Sequence, residues 1–163
     1  MEKDPDIDYF TEKALIWQEH YTGQNLTCKS LLDRLRIDHK AKTFSIRDFK
    51  TTGKSVEFFP RSFEQYRYYR QLKFYEDAVI FRLNELGFEN YKPADHYIIV
   101  MESFGLGRVR AFKVTRPYLD KGQKEIDSLL NRIAKHTEEN QWMFSLEEQV
   151  NPCFELTLEE PVV

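Results

Sequence analysis

The stretch that decides the fold is Ser30–Gly53, SLLDRLRIDHKAKTFSIRDFKTTG. It contains two runs of alternating apolar and polar residues around a short polar link, a pattern that indicates two antiparallel β-strands in a hairpin. In the second run, Asp48 and Lys50 share a face with Phe44 and Ile46. Charged side chains on a face that should be buried need a partner, and strand pairing predicts one.

The register of this hairpin follows from its apolar residues, which meet best when Leu35 faces Ile46. That register places Asp33 directly opposite Asp48. A shift by one residue would turn the apolar positions of one strand away from those of the other. The remaining predicted pairs are Ile37 with Phe44 and Leu31 with Lys50. By alternation, the inward positions of the first strand are Leu31, Asp33, Leu35 and Ile37.

Two carboxylates facing each other across a ladder, with Cβ atoms about 5 Å apart, destabilise a hairpin. A divalent cation such as Mg²⁺ or Mn²⁺ removes the repulsion, because it binds oxygen ligands. Lys50, two residues after Asp48, adds a positive charge beside that ion. Metal-dependent phosphodiester hydrolysis uses such a set, in which the metal activates water and the lysine stabilises developing charge. An exposed salt bridge of little consequence is the alternative.

Composition is that of one soluble globular domain covering residues 1–163. The chain is 41% hydrophobic and 31% charged, and its N-terminus has no signal-peptide pattern. A net charge of −3 means that nucleic-acid binding would need a local basic patch. Cys28 and Cys153 form no metal-binding motif, which favours a reducing compartment inside the cell and argues against an iron–sulfur cluster.

The order of predicted elements indicates an α/β (α+β) fold with a central mixed sheet flanked by helices. A long helix is predicted from about Ser62 to Leu86, with a capping box formed by Ser62 and Gln65 and a C-terminal cap at Gly87. Pro117 is expected to end a strand before a second helix. The predicted strands are 13–21, 26–38, 43–50, HYIIVMES and RVRAFKVT, the second helix is 119–139, and CFELTL is a possible edge strand in the tail.

These residues resemble the PD-(D/E)XK nuclease superfamily, with its restriction-endonuclease-like core. The similarity is greatest to phage and prophage recombination exonucleases of the RecE (exonuclease VIII) kind. Asp33 matches the lone aspartate of that superfamily, and Asp48-Phe49-Lys50 matches its D-x-K motif. The other matching positions are Thr51 and Thr52 after the lysine, Gln71 and Tyr75 in a Q-x-x-x-Y motif, and the run from Phe112 to Trp142.

The resemblance implies a function, metal-dependent hydrolysis of DNA, and a role for each matching residue. Asp33, Asp48 and the backbone carbonyl of Phe49 would bind Mg²⁺ or Mn²⁺, and Lys50 would be the catalytic lysine. Gln71 and Tyr75 would contact DNA or the site from the helix, although a core position is an equally good interpretation of Tyr75. A basic cluster could hold phosphates, or could be an ordinary solvated helix face: Lys54, Arg61, Arg67, Arg70 and Lys73.

The resemblance also implies partners: linear double-stranded DNA ends, a recombination protein and further copies of the chain in a ring. No membrane partner is expected, and the expected compartment is the cytoplasm of a bacterial or phage-infected cell. Family members have a helix before the first strand whose Glu or His completes the metal site. Here the segment before residue 13 is short, so we expect either a piece of a longer protein or an incomplete site, with Glu12 or Glu19 as substitutes.

Three interpretations therefore stand side by side. The first is a Mg²⁺-dependent deoxyribonuclease, an exonuclease acting in phage-type recombination or repair. The second is a catalytically incomplete nuclease-fold module that binds DNA or a recombination partner. The third is a structural domain in which Asp33, Asp48 and Lys50 form a salt-bridge network. Binding of a divalent metal separates the first from the third, and turnover separates the first from the second.

Overall fold

A computed structural model of the protein describes residues 4–140 and Trp142. These residues form a six-stranded mixed sheet flanked by helices, as predicted. The predicted tail strand and Cys153 lie outside the described residues. The strands are β1 (Ile7–Tyr21), β2 (Gln24–Asp38), β3 (Thr43–Thr52), β4 (Lys92–Pro93), β5 (His96–Glu102) and β6 (Val109–Val114), and the helices are α1 (Phe59–Gln65), α2 (Tyr68–Glu85) and α3 (Arg116–Glu139).

The sheet has the order β1-β2-β3-β5-β6, with the short β4 beside β3. The β1–β2, β2–β3 and β5–β6 pairs are antiparallel, whereas β3 pairs in parallel with β4 and β5. A parallel pair needs a long crossover, and here α1 and α2 supply it. The crossover brings α2 over β1, β2 and β3, on the sheet face that carries Asp48.

The predicted single helix from Ser62 to Leu86 is wrong, because the structure contains two helices separated at Tyr66 and Arg67. Arg67 has a left-handed backbone conformation, with φ 53° and ψ 45°. Ser62 lies inside α1, so the predicted capping box is also wrong. The C-terminal prediction is confirmed: Gly87 has φ 80°, and its N–H donates to the carbonyl of Asn84 at 3.0 Å.

Several predicted boundaries move, three of them with consequences for the fold. β1 begins at Ile7 rather than at residue 13, and β3 continues to Thr52. α3 begins at Arg116 rather than at residue 119, because Pro117 lies in its first turn. Proline is favoured in that position because the first helical N–H groups have no partner within the helix. None of the described helices is long and apolar enough to span a membrane.

α2 packs directly on the sheet, and α3 packs against α2. Trp17 of β1 is 1% exposed, and its ring centroid lies 4.5 Å from that of Phe74 on α2. The two helices are in close contact at Gly122 of α3. A Cβ atom there would lie 2.9 Å from the carbonyl oxygen of Tyr69 and 3.3 Å from Cβ of Lys73. The absence of a side chain therefore sets the distance between the helices.

We expect Gly122→Ala to destabilise the fold. Overpacking costs about 1–3 kcal/mol, which outweighs a gain of about 1 kcal/mol in helix propensity. The free energy of unfolding, measured with urea, should fall relative to wild type. Ser128→Ala, on the exposed side of α3, is the matched control and should change stability little. A Gly122→Ala protein as stable as wild type would mean that the two helices can move apart at this contact without a loss of stability.

Candidate active site

The predicted hairpin register is confirmed. Leu35 pairs with Ile46, and Ile37 pairs with Phe44. The ladder between β2 and β3 ends one residue before the two aspartates, at the pair Arg34 and Arg47. Beyond this point the strands separate, so the predicted pairings of Asp33 with Asp48 and of Leu31 with Lys50 are not part of the ladder.

Asp33 bridges the place where the strands separate. Its Oδ2 accepts a hydrogen bond from the backbone N–H of Phe49 at 2.7 Å. Asp33 is also close enough for its charge to raise the pKa of Asp48. Asp33 and Asp48 are therefore neighbours at the end of the hairpin ladder, although they do not form the directly opposed pair that the register predicts.

The inward face of β2 changes at Asp33, which the alternation rule did not predict. Leu31 is 53% exposed and Leu32 is fully buried, whereas after Asp33 the inward residues are Leu35 and Ile37. On the neighbouring strand, Glu12 lies across from Asp33 and has φ 49°, a left-handed conformation. Glu12 and Asp33 are both absent from the β1–β2 ladder, whose register is the same before and after them. The period of two is interrupted here, so β2 buries Leu32 before this point and Leu35 and Ile37 after it.

Asp48 is 2% exposed, and its Oδ2 lies 2.6 Å from Nζ of Lys50. Burial raises the pKa of Asp48 more than the Lys50 ammonium lowers it, and the charge of Asp33 raises it further. Nζ of Lys50 also lies 5.0 Å from the ring centroid of Tyr68. The Asp48 side of the ion pair is therefore buried beneath α2 and Lys50 is half-buried, so the pair is not a fully exposed salt bridge.

α2 contributes Gln71 and Tyr75 to the same place. Nε2 of Gln71 donates to the hydroxyl of Tyr75 at 2.7 Å. Burial raises the pKa of Tyr75, and the hydrogen bond from Gln71 lowers it by a smaller amount. The charge of Asp48 raises this pKa and that of Lys50 lowers it, so the hydroxyl lies near both residues. Tyr75 also packs against the hydrophobic core, so the core interpretation of this residue is confirmed, and its contact to DNA stays a prediction.

The residues after Lys50 form one wall of a cavity at the end of β3. The side-chain oxygen of Thr52 accepts the N–H of Lys54 at 3.1 Å, whereas Thr51 is exposed. Both threonines and Lys54 line the cavity, together with Tyr66 and Tyr68. The structure thus places these three predicted DNA-binding residues beside Lys50.

The predicted basic cluster is mostly paired with carboxylates. Arg67 and Arg70 lie 3.2 Å and 3.5 Å from Oε2 of Glu125. Lys73 is half-buried and pairs with Glu76 at 3.0 Å. Lys73 is therefore not available to bind a phosphate. The carboxylate of Glu125 partly neutralises the charges of Arg67 and Arg70.

Neither proposed substitute completes a metal site. Glu19 accepts a hydrogen bond from the indole of Trp17 at 3.1 Å, and Glu12 lies at the kink in β1. Within residues 4–140 and at Trp142, no three His, Cys, Asp or Glu side chains form a group that could hold a metal. The donors present are Asp33 and Asp48. They fit a small hard cation, since Oδ2 of Asp48 is buried and, apart from the Lys50 ammonium, has no hydrogen-bond partner among the described residues.

Sequence reasoning missed two further contributors. Tyr68, whose ring lies over Lys50, is one helical turn before Gln71, so the same helical spacing could have found it. Glu102, at the end of β5, is 4% exposed and accepts the N–H of Val56 at 2.9 Å. It holds the loop after β3, and its burial follows the alternation of His96, Ile98 and Val100.

No known protein family and no curated protein matches the chain. Among solved structures, the fold is similar to a "Putative exonuclease" from Eubacterium rectale, with a TM-score of 0.53 and 13% identity over 92% of this chain and 55% of that one. It is also similar to SSO0001, with a TM-score of 0.50 and 14% identity over 82% of this chain and 51% of that one.

The chain thus spans about half the length of the solved structures that it matches. At this identity the likeness concerns the fold. The central mixed sheet, its flanking helices and the similarity to the Eubacterium rectale protein are consistent with a restriction-endonuclease-like core.

Proposed function

We propose that this protein is a metal-dependent deoxyribonuclease that hydrolyses phosphodiester bonds in DNA. The observation that carries the proposal is a buried Asp48, beside a second carboxylate and in contact with a lysine. Burying a carboxylate beside a second one is costly, and perturbed groups of this kind are concentrated at functional sites. The fold similarity to a protein named as an exonuclease supports the same reaction class.

Asp33, Asp48 and the backbone carbonyl of Phe49 would hold Mg²⁺ or Mn²⁺. A bound divalent ion supplies Lewis acidity toward the scissile phosphate and a lower pKa for its water. Lys50 places a positive charge at Oδ2 of Asp48, where it can stabilise a phosphate that gains negative charge. Gln71 and Tyr75, joined by their hydrogen bond, would orient the substrate from the other side.

Thr51, Thr52, Lys54, Arg67 and Arg70 would contact the DNA backbone. Phosphate contacts of this kind position a substrate without reading its sequence. The substrate is linear double-stranded DNA, degraded from its ends by an exonuclease in phage-type recombination or repair, in the cytoplasm of a bacterial or phage-infected cell. A ring of several copies, and a recombination protein bound to it, would retain the DNA.

One observation favours a second function. No third acidic or histidine ligand joins Asp33 and Asp48 among the described residues. Two carboxylates bind a divalent ion more weakly than three do, because each charged ligand adds affinity. The alternative is a nuclease-fold module that binds DNA or a recombination partner without turnover.

Digestion of linear and circular double-stranded DNA by the full chain tests the proposal. Reactions contain Mg²⁺, Mn²⁺ or EDTA, and gel shift in EDTA measures binding. We expect metal-dependent loss of the linear DNA alone. Loss of the circle would change the class to endonuclease. Binding without loss in either metal would favour the second function, and neither binding nor loss would contradict both.

Lys50→Met should reduce hydrolysis by about 10²–10³-fold, because one fixed charge at the reacting phosphate is lost. The methionine keeps the length and the apolar part of the side chain. Single-turnover digestion of an end-labelled duplex measures the effect, and the melting temperature shows whether the variant is folded. Lys124→Met, on the exposed side of α3, is the control. Activity within about threefold of wild type would show that Lys50 has no catalytic role.

A further inference from the structure

The break between α1 and α2 has no local cause in the sequence. The residues around it, Ser62 to Lys73, contain no glycine or proline and continue the helical pattern. Arg67 nevertheless adopts a left-handed conformation, which costs a non-glycine residue about 1 kcal/mol or more. Such strain persists only where the surrounding structure enforces it, and it is concentrated at functional sites.

Long-range contacts enforce the break. Nη1 of Arg67 donates to Glu125 at 3.2 Å, and the hydroxyl of the buried Tyr69 donates to the same carboxylate at 2.9 Å. Glu125 lies on α3 and holds Arg67 and the first turn of α2, while Lys121 of the same helix pairs with Glu64 of α1 at 3.0 Å. The third helix therefore contacts both sides of the break. A local preference for a continuous helix is overcome by tertiary contacts.

The consequence is that two tyrosines on either side of the break face one cavity. The rings of Tyr66 and Tyr68 have centroids 5.7 Å apart, and both residues line a space of about 240 Å³. Tyr66 is 60% exposed. Tyr68 also lies against Lys50, so the cavity opens directly beside the candidate active site.

The opposite wall of the cavity is the loop after β3, and it is held in place. The carbonyl of Thr52 accepts the N–H of Ser103 at 2.9 Å. Farther along the loop, Glu102 accepts the N–H of Val56 and pairs with Arg108 at 3.0 Å. These contacts tie the loop to the end of β5, so the cavity is formed before any ligand arrives.

The chemistry of the cavity suits one nucleotide. Lys54 is the one charged residue among the described residues that line it, and Thr52, Ser62 and Gln65 offer hydroxyl and amide groups. An ammonium with neighbouring hydroxyls binds a phosphate without reading sequence. An exposed aromatic ring stacks with any nucleobase, which contributes about 1–3 kcal/mol per base.

We propose that this cavity is a nucleotide subsite that receives one unpaired nucleotide next to the bond to be cut. The base stacks on Tyr66, and the phosphate lies against Lys54. The subsite rests on the proposed nuclease function and adds a substrate class to it: DNA with an unpaired nucleotide at the site of cleavage. Stacking needs a free base face, so a fully paired end is a poorer ligand.

The test is binding of a fluorescein-labelled single-stranded oligothymidylate to the full chain in EDTA, followed by anisotropy. A second oligonucleotide carries 2-aminopurine, whose fluorescence is quenched when it stacks. Tyr66→Ala should weaken binding by about 5- to 150-fold and abolish the quenching. Tyr66→Phe, which keeps the ring, should behave as wild type does.

Tyr9→Ala, an exposed tyrosine on β1 that does not line the cavity, is the matched control and should bind normally. Unchanged binding and quenching in Tyr66→Ala would overturn the subsite. So would a wild-type protein that digests DNA but does not bind the oligonucleotide, while the proposed function would then stand. A wild-type protein that neither digests nor binds DNA would overturn both.

Discussion

Asp48→Asn is expected to abolish metal-dependent DNA hydrolysis, with a loss of about 10³-fold or more, because a site with two carboxylate ligands cannot hold its metal with one. Asparagine keeps the shape of the side chain, so the hairpin and its ladder should form normally. Mn²⁺ titration by calorimetry should show binding to wild type and none to the variant. Digestion of end-labelled linear duplex measures the loss of activity.

The control for this experiment is Asp120→Asn, an exposed aspartate on α3. It makes the same chemical change away from the site and should leave metal binding and digestion unchanged. If Asp48→Asn keeps a tenth or more of the wild-type rate, Asp48 is not a metal ligand. Loss of activity with undiminished Mn²⁺ binding would place the metal elsewhere.

Glu76→Ala is expected to cause the largest loss of stability. Glu76 on α2 is 1% exposed and lies at the centre of a charged network. Its carboxylate accepts hydrogen bonds from Nε2–H of His96 at 3.0 Å and from two N–H groups of the Arg116 guanidinium at 2.9 and 3.1 Å. Removing one partner of a buried network leaves the others uncompensated, which costs about 3–5 kcal/mol.

That loss corresponds to a decrease in the melting temperature on the order of 10 °C for a chain of this length. Thermal unfolding followed by circular dichroism measures it. The control is Glu85→Ala on the same helix, which removes an exposed ion pair with Arg82 and should cost at most about 1 kcal/mol. Equal effects of the two substitutions would show that the network contributes no more than a surface pair.

The pH dependence of stability gives an independent check on Glu76. Burial alone would raise its pKa, but the hydrogen bonds from His96 and Arg116 and the charge of Lys73 lower it from 4.5 to about 2. The folded carboxyl therefore binds its proton more weakly than the unfolded one. Its contribution, about 3 kcal/mol, is present above pH 4.5 and is lost as the pH falls toward 2. In Glu76→Gln this part of the acid destabilisation should disappear.

Much of the candidate site could be predicted from the sequence. Apolar alternation determines which residues of two adjacent strands face each other, so Leu35 against Ile46 sets the register and places Asp33 beside Asp48. Helical spacing likewise puts Gln71 and Tyr75 on one face of α2. Both patterns work because the interacting residues are neighbours within one element or across one short turn.

The inward face of β2 and the continuity of the first helix could not be predicted in this way. The inward face changes where Asp33 and the left-handed Glu12 of the neighbouring strand both leave the ladder, and no rule of alternation within β2 contains that information. The helix breaks at Arg67 because of a carboxylate 58 positions later in the chain. Local propensity is a weak preference that tertiary contacts can override.

The sequence by itself determined the hairpin, its register and the pairing of two aspartates with a lysine, since these depend on short-range periodicity. Only the tertiary structure decided that Asp48 is buried under α2, that Glu76 joins His96 and Arg116, and that Tyr66 and Tyr68 face one cavity. The physical reason is that burial and strain are properties of the packed whole. They arise when α3 docks on α2 and α2 docks on the sheet, and no single segment specifies that arrangement.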